Sequence, residues 1–119
     1  MRSKTLLAIL PALVLGTAEA QAHAYLDRAE PRVGSTVAAA PRAVSLWFSQ
    51  NLEAAFSSIE VRNSAGARVD QGKARLGGER NVLQVGLKPL AAGTYRVHWR
   101  VLSVDTHVTE GTFTFQVGQ

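Results

Sequence analysis

Beyond residue 23 the chain alternates apolar and polar positions in short runs, and no stretch sustains the 3.6-residue period of an amphipathic helix. Residues 24–29 predict a first strand, ended near Glu30-Pro31 because proline cannot donate to a ladder. Residues 34–41 read as a connection with one short extended piece. Residues 44–48 are apolar with imperfect alternation, which suits a strand buried on at least one face. A polar link over 49–55 follows, and residues 57–62 then alternate cleanly, with Ile59 and Val61 inward. Asn63 to Gly66 is a turn signal, and residues 68–70 predict a brief edge strand. A glycine-rich charged loop over 71–81 leads to a strand at 82–87 and a turn at 89–93. The longest strand, 94–101, places Tyr95, Val97, Trp99 and Val101 on one face. The last, 112–117, sets Phe113, Phe115 and Val117 opposite Thr112, Thr114 and Gln116.

Seven short strands at this spacing predict an all-β fold, a two-sheet antiparallel sandwich. Trp47, Phe48, Trp99, Phe113 and Phe115 are its expected bulky core residues. No internal repeat or low-complexity segment stands out.

The first 22 residues follow a different pattern. Arg2 and Lys4 precede a short apolar run, and Ala20 and Ala22 satisfy a small-x-small cleavage rule, so residues 1–22 read as a secretory signal peptide. The run is too short to span a membrane, which takes about 20 residues. Cleavage after Ala22 leaves 23–119 as one domain, long enough to bury most of a core unaided. Cleavage after Ala20 is the alternative and leaves Gln21 first. After the cut at Ala22, eleven basic and eight acidic side chains remain, a formal net charge of +3. The basic residues are scattered singly rather than gathered in the stripe of a nucleic-acid face, so no nucleic-acid partner is expected.

The chain has no cysteine, and its one methionine is Met1. Thiolate zinc, iron–sulfur and blue-copper sites are therefore excluded, and so is a thioether Cu(I) site in the processed protein. Nitrogen and oxygen donors remain. After the cut at Ala22, His23 becomes residue one, and its free amine and imidazole form a compact chelate. With strands running alternately down and up, the first strand begins at the end of the sandwich where the strand ending near Leu102 delivers residues 103–108. The loop carrying Gln50, Asn51 and Glu53 lies there too. His23, Asp105 and His107 can then meet although about eighty residues separate the first from the others. In extended geometry Asp105 and His107 point the same way. Their carboxylate and imidazole complete a donor set that suits Cu(II) best among common divalent ions, with zinc an alternative in vitro. The amine, ordinarily of pKa about 7.7–8.0, must lose its proton to bind, so affinity should rise with pH. Gln50 is a poor copper ligand and a better hydrogen-bonding neighbour of the ligands. His98, between Arg96 and Arg100, is expected to face solvent.

The start His23-Ala24-Tyr25-Leu26 with Pro31 following, the run from Gly93 to His107, and Gly111-Thr112-Phe113-Thr114-Phe115 together resemble the CopC family of periplasmic copper-binding proteins. The resemblance spans essentially the whole processed chain. It implies a seven-stranded immunoglobulin- or cupredoxin-like Greek-key sandwich and a Cu(II) site made by His23, Asp105 and His107. It also implies a monomeric carrier or buffer in copper resistance or uptake, beside an inner-membrane partner called CopD. Members that also bind Cu(I) carry a methionine-rich segment, absent here, so a Cu(II)-only type is implied. The family's usual Ser-Glu pair reads Ser49-Gln50, and its usual Asp-Gly-His-Pro reads Asp105-Thr106-His107-Val108.

Two other readings compete with a non-catalytic copper carrier. A terminal histidine with a second imidazole also forms the copper brace of polysaccharide monooxygenases. That chemistry needs a flat aromatic face, and both tryptophans here sit in core-patterned strands. The third reading is a metal-free sandwich module for adhesion or assembly.

Overall fold

In the computed structural model residues 24–118 are described, so the signal peptide expected over 1–22, its cleavage site at Ala22, and His23 all lie outside the described residues. Among the described residues eight strands form two sheets: β1 (Leu26–Glu30), β2 (Thr36–Val37), β3 (Ala43–Phe48), β4 (Ser58–Arg62), β5 (Arg75–Leu76), β6 (Val82–Gly86), β7 (Gly93–Leu102) and β8 (Val108–Val117). One sheet has the order β1-β3-β6-β5 and the other β2-β8-β7-β4. The expected all-β sandwich is what the chain builds.

The two inner faces follow from period-two alternation. Val44, Leu46 and Phe48 of β3 and Leu83 and Val85 of β6 meet Ile59 and Val61 of β4, the odd-numbered residues 95–101 of β7, and Phe113, Phe115 and Val117 of β8, all buried. Phe48 and Trp99 bridge the sheets edge to face at 5.1 Å, and Tyr95 stacks on its cross-strand partner Phe115 at 5.5 Å. Burying a side chain of this size is worth about 1.5–3 kcal/mol, so this layer holds the sheets together. Near the start of β7 the Tyr95 hydroxyl donates to the Ala91 carbonyl at 2.6 Å, a corner tie common in immunoglobulin-like sandwiches.

Four expectations need correction. Trp47 is not in the core: Leu46 and Phe48 take the inward phase, so Trp47 lies on the outer face under the Arg28 guanidinium, 4.2 Å from its ring. Residues 68–70 form only isolated bridges, Arg62↔Arg68 and Asp70↔Leu87, because the Asp70 carboxylate turns inward and takes the Val61 amide at 2.8 Å. The short edge strand is instead β5, inside the stretch read as a loop. Finally, the sheets are not wholly antiparallel, since β2 pairs in parallel with β8. The chain leaves β1 on one sheet and continues in the same direction as β2 on the other. β5 stands in for the missing strand at 68–70, so the alternation of directions from β3 to β8 is preserved.

Candidate metal site

Three segments meet at one end of the sandwich. β1 begins beside the end of β3, with Leu26 paired to Phe48, and β7 ends at Leu102, paired to Val108. The Tyr25 amide donates to Ser49 Oγ at 2.8 Å, and the Ser49 amide to the Tyr25 carbonyl at 2.9 Å. Asn51 accepts the Val104 amide at 3.0 Å, and Leu52 bridges Ser103. Thr109 Oγ1 donates to the Ala24 carbonyl at 2.8 Å, tying the first described residue to β8 just past His107. The expected meeting of the N-terminal segment with the loops around Gln50 and Asp105 is thus observed from Ala24 onward.

The β7–β8 turn is held from inside. The Ser103 amide donates to the His107 carbonyl at 2.9 Å and the Thr106 amide to the Ser103 carbonyl at 2.9 Å. Thr106 closes the turn at φ +72°, a conformation that ordinarily favours glycine. This gives a physical reason for the glycine that the resemblance places there. The fully buried Ser103 hydroxyl donates to Asp105 Oδ1 and lies 3.2 Å from the His107 carbonyl.

Asp105 Oδ1 and His107 Nδ1 come within 3.5 Å, with both side chains about 40% exposed. The Ser103 hydrogen bond holds the Asp105 carboxyl below its ordinary range; desolvation opposes it and His107 adds to it. A carboxylate oxygen and an imidazole nitrogen this close can serve one ion, whose bonds to such donors run about 2.0–2.2 Å for zinc. Among the described residues no group of three histidine, aspartate or glutamate side chains is placed to hold a metal. Gln50 is half-buried in the loop between Ser49 and Asn51, whose contacts with Tyr25 and Val104 fix that loop. His98 stands apart on the outer face of β7, 2.9 Å from Glu110.

Ser103 and Thr109 escaped the sequence reading. For Ser103 a signal existed: it extends the inward series 95, 97, 99, 101 by one, so a hydroxyl occupies a core-facing position. Thr109 has no comparable signature, because its partner is a backbone carbonyl 85 residues away.

These features define a small β-sandwich with a nitrogen and oxygen donor pair at one end, beside its N-terminal segment. The CopC domain family model matches residues 26–118. Copper resistance protein C of Escherichia coli is 37% identical over 114 residues, 88% of this chain and 90% of that protein. The copper transport protein CutJ of Bacillus subtilis is 34% identical over 100 residues, 82% of this chain but 18% of that protein. The crystal structure of CopC from Methylosinus trichosporium OB3b superposes with a TM-score of 0.76 at 37% identity, covering 81% of this chain and 94% of that one. The chain belongs to the CopC family of copper-resistance proteins.

Proposed function

We propose that the protein is an exported copper carrier or buffer that binds Cu(II) through His23, Asp105 and His107 after cleavage at Ala22. The observation that supports this best is the bond from Thr109 Oγ1 to the Ala24 carbonyl. It fixes the residue after His23 to the strand that begins after His107, so His23 starts one peptide away from a point anchored beside the other two donors. The donor chemistry agrees: amine, imidazoles and a carboxylate oriented by Ser103, with no sulfur, suit Cu(II). In this reading the first 22 residues direct the chain to the periplasm and are removed. The protein works there as a monomer, and Gln50 orients the ligands. CutJ, a transport protein much longer than the segment it shares with this chain, supports a membrane copper transporter of the CopD kind as the partner.

The test joins mass spectrometry of the exported protein with electron paramagnetic resonance of its Cu(II) complex. His23 should be residue one, and the spectrum should show nitrogen coordination that loses one imidazole in His107→Ala and is altered in Asp105→Ala. Occupancy should rise between pH 6 and pH 8 as the amine loses its proton. A chain beginning at Gln21, or Cu(II) binding unaffected by an extra residue before His23, would overturn the reading.

A further inference from the structure

Away from the donor end, a cleft of about 420 Å³ opens where β3 begins and β6 ends, and its rim carries Arg42, Lys73 and Arg75. Its floor is low for a local reason. Ala43 and Gly86 are cross-strand partners, and both are small. A Cβ at Gly86 would stand 2.5 Å from the Gln71 side-chain oxygen, so glycine lets Gln71 lie across the sheet and form one wall. Gln71 is held there by its amide, which donates to the Leu87 carbonyl at 3.3 Å. Gln84, on the opposite side, donates to Ser45 Oγ at 2.9 Å.

The three cations are not neutralised by the protein. Among the described residues none of them lies within ion-pair distance of a carboxylate; only Arg28, Arg62 and Arg68 of the described arginines and lysines do, and what sets Arg42, Lys73 and Arg75 apart is that they share one cleft. The carboxylate nearest in sequence to Lys73 is Asp70, which is turned into the core and takes Arg68 and the Val61 and Gly72 amides instead, and Glu79, nearest in sequence to Arg75, makes no ion pair with it. Three like charges around one concavity repel, and an anion in it relieves that repulsion. Guanidinium groups match tetrahedral oxyanions through paired N–H donors, and lysine adds a mobile point charge.

We infer that this cleft is an oxyanion site, binding a phosphate group either free or as the headgroup of an anionic lipid. It lies at the start of β3, while the candidate copper donors lie beyond its end, so the two sites are separated by about a strand length, roughly 16 Å at 3.3 Å per residue. The inference is independent of copper.

The test is amide chemical-shift titration of the metal-free protein with sodium phosphate at constant ionic strength, with sodium chloride as the reference. Saturable shifts at Gln71, Lys73 and Gly86 are expected, weakened at least tenfold in an Arg42→Gln/Arg75→Gln double variant and unchanged in Arg100→Gln. Sedimentation with phosphatidylglycerol vesicles identifies the source. Retention on vesicles that the double variant loses, with or without saturation by free phosphate, supports a lipid headgroup, and saturation by phosphate without retention supports a free oxyanion. Shifts that match chloride, with no retention, overturn the inference. Equal losses in the double variant and in Arg100→Gln overturn it too, since they indicate unspecific charge attraction.

Discussion

Two aspartates of this sandwich, Asp70 at an isolated bridge and Asp105 on the β7–β8 turn, both have carboxyls held below the ordinary range, and they do opposite things. Asp70 is a structural anchor. Burial pushes its carboxyl up, and bonds from Arg68 and from the Val61 and Gly72 amides more than offset that. Its side chain is 1% exposed, and all its acceptor capacity faces inward. Asp105 takes one strong bond from buried Ser103, lies 3.5 Å from His107, and leaves its carboxylate about 39% exposed. A lowered carboxyl pKa therefore does not mark a site by itself. What separates the two is unspent acceptor capacity at the surface, beside an imidazole.

The comparison can be broken at four points. Asp70→Ala should have the largest effect on stability. It leaves the buried Val61 amide without an acceptor and half-exposed Arg68 with only its longer contact to Glu60 at 3.7 Å, a loss of about 3 kcal/mol. That corresponds to a fall in Tm of more than about 10 °C by calorimetry. The pH dependence has a definite sign. Because the folded pKa is depressed, the Asp70 contribution is full above the unfolded value of about 3.9 and disappears as pH falls through the folded value. Asp70→Asn should flatten that acid limb in denaturant titrations at pH 7 and pH 3. An unchanged limb would show that other carboxyls set it.

Ser103→Ala should cost about 1–2 kcal/mol, since a buried hydroxyl that bonds the turn is removed. It should also weaken Cu(II) binding in competition titrations, because Asp105 loses the donor that orients it. Restoration of both by Ser103→Thr would show that the hydroxyl is responsible. Thr106→Gly should go the other way. Relief of a left-handed conformation worth about 1–2 kcal/mol, against about 0.5–1 kcal/mol of added unfolded-state freedom, predicts a net gain of about 0.5 kcal/mol by chemical denaturation.

The smallest stability effects should come from Asp105→Ala and His107→Ala, within about 0.5 kcal/mol of the parent, because both side chains are substantially exposed. Without Asp105, the Ser103 hydroxyl keeps the His107 carbonyl as its acceptor. A large drop in Tm for either variant in the absence of metal would place Asp105 with Asp70 as a structural group.

Much of this was legible in the chain. The inward series on β3, β4, β7 and β8 is written in alternation, and the aromatic pairs follow from it. Trp47 shows where identity misleads: an aromatic next to Phe48 looks like core, but period two lets only one of two neighbours face inward. The strand expected at 68–70 failed because one carboxylate took the Val61 amide, which a ladder to Val69 would have used. No local propensity announces that, since the competing partner is a side chain whose position depends on the finished fold.

By itself the sequence determined the class of fold, the faces that β4, β7 and β8 bury, and the nitrogen and oxygen character of the candidate donors. These depend on side-chain identity and on the two-residue repeat of an extended backbone. Tertiary structure alone decided that Ala24 is tied to Thr109 and that Arg42 joins Arg75 around one cleft. Each of these joins segments far apart in the chain. Such contacts are fixed by register and by the order of strands in a sheet, and no local pattern carries that information.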